Sequence, residues 1–158
     1  MKGSTLAGAV AASALALAGC GGGDSRELPA VVLPALDGSD GLDVGALAGP
    51  AVINVWATWC TPCLAELPDF QRVSEESPDF RFVGVDATGF DDDGESVEFL
   101  ADLGVTYPQY VDPDGEFAAE VEITELPATL VVDADGKVAY FHQGQVSYDD
   151  LTDQLVDL

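Results

Sequence analysis

Hydrophobic and polar positions follow two different periods along the chain. Ala51–Trp56 is a near-continuous apolar run with β-branched side chains, which predicts a buried central strand. Thr61–Glu76 repeats apolar residues such as Leu67 and Phe70 at helical spacing, which predicts a helix. Pro68 lies inside that helix and predicts a kink.

The same patterns predict the remaining elements. Five further strands are predicted at 31–33, 80–86, 107–111, 129–133 and 137–142. Three further helices are predicted at 96–103, 116–121 and 148–158. A turn at 112–115 and a hairpin turn at 134–136 connect some of these elements. Strands with intervening helices, followed by a closing hairpin and helix, predict an α/β fold with a central mixed β-sheet flanked by helices.

The N-terminus accounts for one of three cysteines. After Lys2, residues 6–18 form an apolar run of 13 residues, whereas a membrane-spanning helix needs about 20. The run is therefore interpreted as part of a signal peptide over residues 1–19. Its end, Leu-Ala-Gly-Cys20, resembles the lipobox of bacterial lipoproteins, in which the chain is cut before the cysteine and that cysteine is lipidated. Residues 20–27 are then a lipidated cysteine with a glycine-rich tether, and 28–158 form one domain.

Charge excludes one class of partner. The chain has 5 Lys and Arg against 29 Asp and Glu, a formal net charge of −24. Nucleic acid is excluded as a partner because binding it requires a cationic surface. The acidity indicates either a field that steers basic partners or a solvated surface that keeps the protein soluble.

The remaining cysteines, Cys60 and Cys63, follow the central strand at the start of the predicted helix. Unpaired N–H groups at a helix N-terminus favour negative charge, so Cys60 is expected to form a nucleophilic thiolate. Pro62 suits the first turn, where its missing N–H has no helical partner to lose. Cys63 lies one turn further on, where it can resolve a mixed disulfide.

Three other interpretations of this pair are weaker. A structural zinc site needs four ligands, and the chain has no second cysteine pair and only one histidine, His142. Copper(I) could bind the two thiolates and His142, since soft ligands suit it. A purely structural disulfide would close too short a loop to stabilise much. The acidic turns at 91–94 and 112–115 lack the spacing of an EF-hand calcium loop.

The motif WATWCTPC at Trp56–Cys63, with Leu126-Pro127 further along, resembles the thioredoxin fold and more narrowly the exported TlpA/ResA-like thiol–disulfide oxidoreductases. The resemblance implies that Pro127 is a cis-proline facing the disulfide, where it keeps metals away and offers backbone groups to an extended substrate. It further implies a substrate-binding surface made by Trp59, Thr61, Pro62 and Leu126. Trp59 is expected to shield the site and to offer an apolar contact. Glu125 and Ala128 depart from the glycine and threonine common in relatives.

Glu66 is the predicted proton-transfer residue. Asn54 stands where thioredoxin has a buried acid and cannot titrate, whereas Glu66 lies one helical turn after Cys63. In the family that the chain resembles, a glutamate here is an active-site acid, so Glu66 is expected to exchange a proton as Cys63 cycles. We expect this side chain to be partly exposed, so that its replacement changes stability little.

Together these features predict an extracytoplasmic, lipid-anchored thiol–disulfide oxidoreductase with neither a cofactor nor a resident metal. Its partners are client protein thiols or disulfides and a membrane electron-transfer partner. A reductant of client disulfides, for example in cytochrome c maturation, is favoured over an oxidant that introduces disulfides into secreted proteins. A copper-binding or copper-delivery module using the same thiols is the alternative from a different class.

The lipobox predicts the effect of replacing Cys20. Cys20→Ser should abolish lipid labelling in the native host, because the thiol that carries the lipid is gone, and should leave the chain uncleaved or released. Mass spectrometry of the membrane fraction measures both effects. Wild-type protein recovered without lipid on Cys20 would contradict the interpretation.

Overall fold

The computed structural model describes residues 26–88, 94–156 and 158. The predicted signal peptide, Cys20 and most of the predicted acidic loop at 89–95 lie outside these residues. Within the described part of the chain, no helix is long and apolar enough to cross a membrane.

A five-stranded mixed sheet forms the centre of the fold, as the sequence predicts. Its strands are β3 Ala51–Trp56, β4 Arg81–Asp86, β5 Gln109–Val111, β6 Ala128–Val132 and β7 Val138–Gln143. Their order in the sheet is β5-β4-β3-β6-β7, with β3 parallel to β4 and antiparallel to β6. A separate antiparallel pair is formed by β1 Val32–Leu33 and β2 Leu42–Asp43.

Among the described residues, four α-helices follow the predicted order. They are α1 Thr61–Glu76, α2 Glu95–Leu103, α3 Glu116–Glu120 and α4 Tyr148–Val156. A single 3-10 turn, Val44–Ala46, follows β2. The predicted bounds coincide with the observed ones at half of the ends and differ by one or two residues at the others, where local patterns are least informative. Helix α1 continues through Pro68, whose ring is exposed.

Strand β3 is completely buried because both of its faces are covered. Ile53 and Val55 face one hydrophobic core, which also contains Phe117 of α3. Val52 and Trp56 face the other, which contains apolar residues of α1 and α4. This two-sided burial explains why the strand is an apolar run instead of an alternating pattern.

Two X–Pro peptide bonds are cis: Leu126–Pro127, as the sequence predicts, and Gly49–Pro50, which it does not. Gly49 enters β3 against the end of β6. A Cβ atom at this position would lie 1.7 Å from the carbonyl oxygen of Asp133, so only glycine fits so close to that backbone.

Two residues assigned to the end of the tether contact the domain. The carbonyl of Arg26 accepts a hydrogen bond from the N–H of Val138 at 3.2 Å, and Glu27 forms an isolated bridge with Lys137. The segment that enters the domain therefore runs beside the start of β7.

Candidate redox-active site

The turn from β3 into α1 places Cys60 at the helix N-cap. Cys60 has extended backbone angles, and its Sγ accepts the N–H of Cys63 at 3.3 Å. Pro62 occupies the first turn, as predicted. The sulfur of Cys60 therefore lies where the helix N-terminus stabilises negative charge.

Cys60 and Cys63 form a disulfide, with their Cα atoms 5.3 Å apart. Cys63 has no exposed surface, and Cys60 retains 4%. Both side chains belong to the core between the sheet and helices α1 and α4. Of the two cysteines, Cys60 is therefore the one that retains some exposed surface, as its predicted role of attacking thiol requires.

Strand pairing brings the cis-proline to the same end of the sheet. Ala128, which follows Pro127, is paired with Val55 near the end of β3. Pro127 is buried, and the half-buried Leu126 packs against the core that contains both cysteines. The cis-proline segment and the start of α1 therefore lie at the same end of the sheet.

The four predicted substrate-binding residues fall into two groups. Thr61, Pro62 and Trp59 are exposed, whereas Leu126 is half-buried. Trp59 is 68% exposed, so its indole offers an apolar contact. Both cysteines belong to a core of buried residues, and the shielding of the site by Trp59 stays a prediction.

Glu66 differs from its expected exposure. It lies on the buried face of α1 and has no exposed surface, so the prediction of a partly exposed side chain is wrong. Its Oε1 accepts a hydrogen bond from Asn54 Nδ2 at 2.8 Å, and its Oε2 accepts the N–H of Val146 at 2.9 Å. Glu66 thus connects α1, β3 and the loop before α4.

Burial shifts the titration of this carboxyl group. Loss of hydration raises the pKa of Glu66 from 4.5 to about 7, although the hydrogen bonds from Val146 and Asn54 act in the opposite direction. The charge of Asp69 raises the pKa further. An acid with this pKa can both take up and release a proton near neutral pH.

Tyr107 and the backbone of Val146 were not predicted as parts of the site. The Tyr107 hydroxyl donates to Asn54 Oδ1 at 3.4 Å, which extends the network from Glu66 to the segment before β5. Burial raises the pKa of Tyr107, so this phenol stays neutral. The sequence held no signal for either contact, because the partners lie far apart along the chain.

Thr129 is a further buried polar residue next to this network. It is paired with Asn54 on β3 and with His142 on β7. In the described part of the chain, its Oγ1 is the one buried side-chain oxygen or nitrogen without a hydrogen-bond partner.

The copper alternative gains no support from the described residues. Among them, no group of three or more His, Cys, Asp and Glu side chains is arranged to hold a metal ion. His142 stacks instead on Tyr140, with ring centroids 6.1 Å apart.

Comparison with known proteins identifies the family. The Redoxin family model matches residues 23–155. The chain belongs to the Redoxin family. A thiol:disulfide interchange protein DsbE homolog of Paracoccus denitrificans is 32% identical to this redoxin over 134 residues, which cover 83% of this chain and 72% of the relative.

Two further matches agree in fold and chemistry. The thiol-disulfide oxidoreductase ResA of Bacillus thuringiensis is 28% identical over 134 residues, covering 82% of this chain and 75% of ResA. The crystal structure of a secreted Mycobacterium tuberculosis disulfide oxidoreductase homologous to E. coli DsbE is 27% identical, with a TM-score of 0.72, and the match covers 82% of this redoxin and 96% of that chain. This redoxin is a thiol–disulfide oxidoreductase of the DsbE/ResA type with a thioredoxin-like fold.

The buried Glu66 makes stability depend on pH. Its folded-state pKa of about 7 exceeds the ordinary 4.5, so the folded state binds more protons between these values and the free energy of unfolding falls as pH rises. Between these two pH values, the free energy of unfolding of wild type should fall by up to about 3 kcal/mol, and Glu66→Gln should abolish this fall. Urea unfolding of the oxidised protein across this range measures the difference.

Glu75→Gln is the matched control, since Glu75 lies on the exposed side of the same helix. Its stability curve should run parallel to that of wild type. A parallel curve for Glu66→Gln would show that the Glu66 carboxyl group titrates normally in the folded protein.

Proposed function

We propose that this redoxin is an extracytoplasmic, lipid-anchored reductant of client protein disulfides, with a role in cytochrome c maturation. Cys60 attacks the client disulfide, Cys63 resolves the mixed disulfide, and a membrane partner returns electrons to the pair. The lipobox at Cys20 supports the anchor. The secreted relative supports a location outside the cytoplasm.

One observation carries the direction of electron flow: a buried carboxyl group lies one turn from Cys63 on the same helix. A carboxylate near a thiolate raises the pKa of both groups, because their negative charges repel each other. This repulsion disfavours the dithiol in its ionised form relative to the disulfide. The reduced protein is therefore a better electron donor than it would be without Glu66.

The residues around the cysteines add no positive charge to oppose this effect. Residues 52–70 contain no lysine or arginine. Strongly oxidising members of the fold owe their potential to stabilisation of the reduced form, for which a neighbouring cation is one means. The local sequence thus supports a reductant over an oxidant.

Glu66 has a second role in this proposal, as proton donor and acceptor. When Cys63 leaves the Cys60–Cys63 disulfide, its sulfur gains a proton, and when Cys63 attacks a mixed disulfide formed by Cys60, its thiol loses one. A neutral Glu66 can supply that proton and an ionised Glu66 can accept it, since its pKa of about 7 lies near neutral pH. Asn54 holds the carboxyl group in place without titrating itself.

The reduction potential of the Cys60–Cys63 pair tests the direction. We expect a value of about −270 mV or lower, as in thioredoxin, whereas a value near about −120 mV would indicate an oxidant. Glu66→Gln should raise the potential, because the repulsion of the thiolate is lost. Equilibration with glutathione or dithiothreitol buffers gives both values. A potential that Glu66→Gln leaves unchanged would remove the electrostatic support for a reductant.

The roles of the two thiols are tested by their reactivity. Reduced protein should be alkylated first at Cys60 near neutral pH, because this residue retains some exposed surface and caps the helix N-terminus. Cys63→Ala should trap a mixed disulfide through Cys60. Mass spectrometry of the quenched products identifies the modified residue, and modification of Cys63 first would reverse the assignment.

The proton role of Glu66 is tested by the pH profile of exchange. Glu66→Gln should lower the apparent thiol pKa and slow disulfide exchange about 10- to 100-fold, toward the low end of general acid–base effects because water can substitute. The two groups form a coupled system in wild type, so the profile reports values that belong to both. Superimposable profiles for wild type and variant would leave the proton route to water alone.

A further inference from the structure

The segment before the cis-proline has an irregular backbone. It connects α3 to β6, and Glu122 at its start has a positive φ of 59°. Ile123 and Leu126 anchor the segment by packing on the hydrophobic cores, whereas Thr124 and Glu125 between them are exposed. The N–H groups of these two exposed residues need partners outside the regular sheet ladder.

One side-chain atom supplies those partners. Oε1 of Gln143, the last residue of β7, accepts the N–H of Thr124 at 2.7 Å, the hydroxyl of Thr124 at 3.1 Å and the N–H of Glu125 at 3.0 Å. The next residue, Gly144, donates its N–H to the carbonyl of Pro127 at 2.8 Å. Two consecutive residues therefore hold the Leu126–Pro127 segment from both sides.

These contacts order the segment more than they stabilise the fold. The bonded groups of Thr124 and Glu125 lie at the surface, so water can replace Gln143 as their partner if it is removed. The global free energy of unfolding then changes little, while the segment gains local freedom. A client that docks on the segment must order it again on binding, which weakens affinity.

We propose that Gln143 is a positioning residue that presents Leu126 and cis-Pro127 to polypeptide clients. The inference rests on the proposed function of the same site. In the reaction, the Cys60 thiolate attacks one sulfur of the client disulfide and releases the other as a thiolate. Cys63 then attacks the Cys60 sulfur of the mixed disulfide and releases the second client sulfur as a thiolate. The protein pair is thereby oxidised, and the client gains two electrons and, from solvent or Glu66, its protons.

A small disulfide and a peptide disulfide place different demands on this geometry. A small reagent needs only access to the Cys60 sulfur. An extended peptide must also lie along the segment that ends in Pro127. Loss of the Gln143 contacts should therefore slow the reaction with the peptide and not that with the small reagent. A general loss of folding or of thiol reactivity would slow both reactions.

Three variants test whether the hydrogen-bond acceptor of Gln143, and not the size of its side chain, is required. Gln143→Leu removes the acceptor and keeps a similar size. Gln143→Glu keeps acceptor oxygens for the same three donors and should restore function. Gln71→Leu is the matched control, since the Gln71 amide also makes three hydrogen bonds, to Glu75 and Thr106, on another part of the molecule.

The experiment follows release of thionitrobenzoate from two disulfides by the reduced protein. One is a short unstructured peptide whose single cysteine carries thionitrobenzoate, and the other is dithiobis(nitrobenzoate). For Gln143→Leu, the half-saturating peptide concentration should rise about five- to tenfold, while its maximal rate and the small-reagent rate stay within about twofold of wild type. Gln143→Glu and Gln71→Leu should match wild type with both disulfides.

The outcomes distinguish this inference from the proposed function. Equal changes with both disulfides, or none with the peptide, would overturn the role of Gln143 while leaving Cys60 as the attacking thiol. A Gln143→Glu variant as impaired as Gln143→Leu would also overturn it, because the acceptor is retained. A wild-type protein whose Cys60 reacts with neither disulfide would overturn the proposed function and, with it, this role.

Discussion

The carboxyl group of Glu66 joins three separate parts of the fold. It lies on α1, accepts a hydrogen bond from Asn54 on β3 and accepts another from the backbone of Val146 before α4. Burial of a carboxyl group costs free energy unless it is hydrogen-bonded, and its charged form costs more than its neutral form. The packing of α1 and α4 on the sheet therefore buries an acid one helical turn from Cys63, in surroundings that oppose its ionisation.

This constraint links the redox state of the cysteines to the protonation of the site. With the disulfide formed, Glu66 titrates alone with a pKa of about 7. Once the disulfide is reduced, a thiolate and a carboxylate would share the same buried region and repel each other. Under the proposed function the two groups would then share protons, so the affinity of the site for protons would rise on reduction. Electron transfer at Cys63 would therefore be accompanied by proton uptake.

The parts of the site that the sequence predicts are those encoded locally. The apolar run Ala51–Trp56, the cysteine spacing and Pro62 specify a buried strand followed by a helix N-terminus within thirteen consecutive positions. Pro127 was linked to this motif by family resemblance, and strand pairing places it at the same end of the sheet. Short-range patterns of this kind predict local structure reliably because each depends on backbone geometry and not on contacts with distant segments.

The burial of Glu66 escaped prediction because its cause is not local. Its partner Val146 is 80 positions away, and the helical pattern of α1 alone does not show which faces are covered by α4. Gln143 escaped for a similar reason: a polar residue at the end of a strand is ordinary until the loop that it contacts is known. Roles that depend on contacts between segments far apart in the sequence become visible only in the folded structure.

The distribution of positive charge bears on the choice between reductant and oxidant. Arg81 and Lys137 lie at the end of the sheet where β3 begins, whereas Cys60 follows its other end. Arg72 lies twelve residues along α1, about 18 Å from Cys60 by helical rise, and pairs with a glutamate of its own helix. Arg26 pairs with a glutamate after α3. None of the four Lys and Arg side chains in the described residues is thus placed to stabilise a Cys60 thiolate. The helix N-terminus alone stabilises it, and the buried Glu66 has the opposite effect. Since a strong oxidant needs a strongly stabilised thiolate, this arrangement supports a protein that donates electrons.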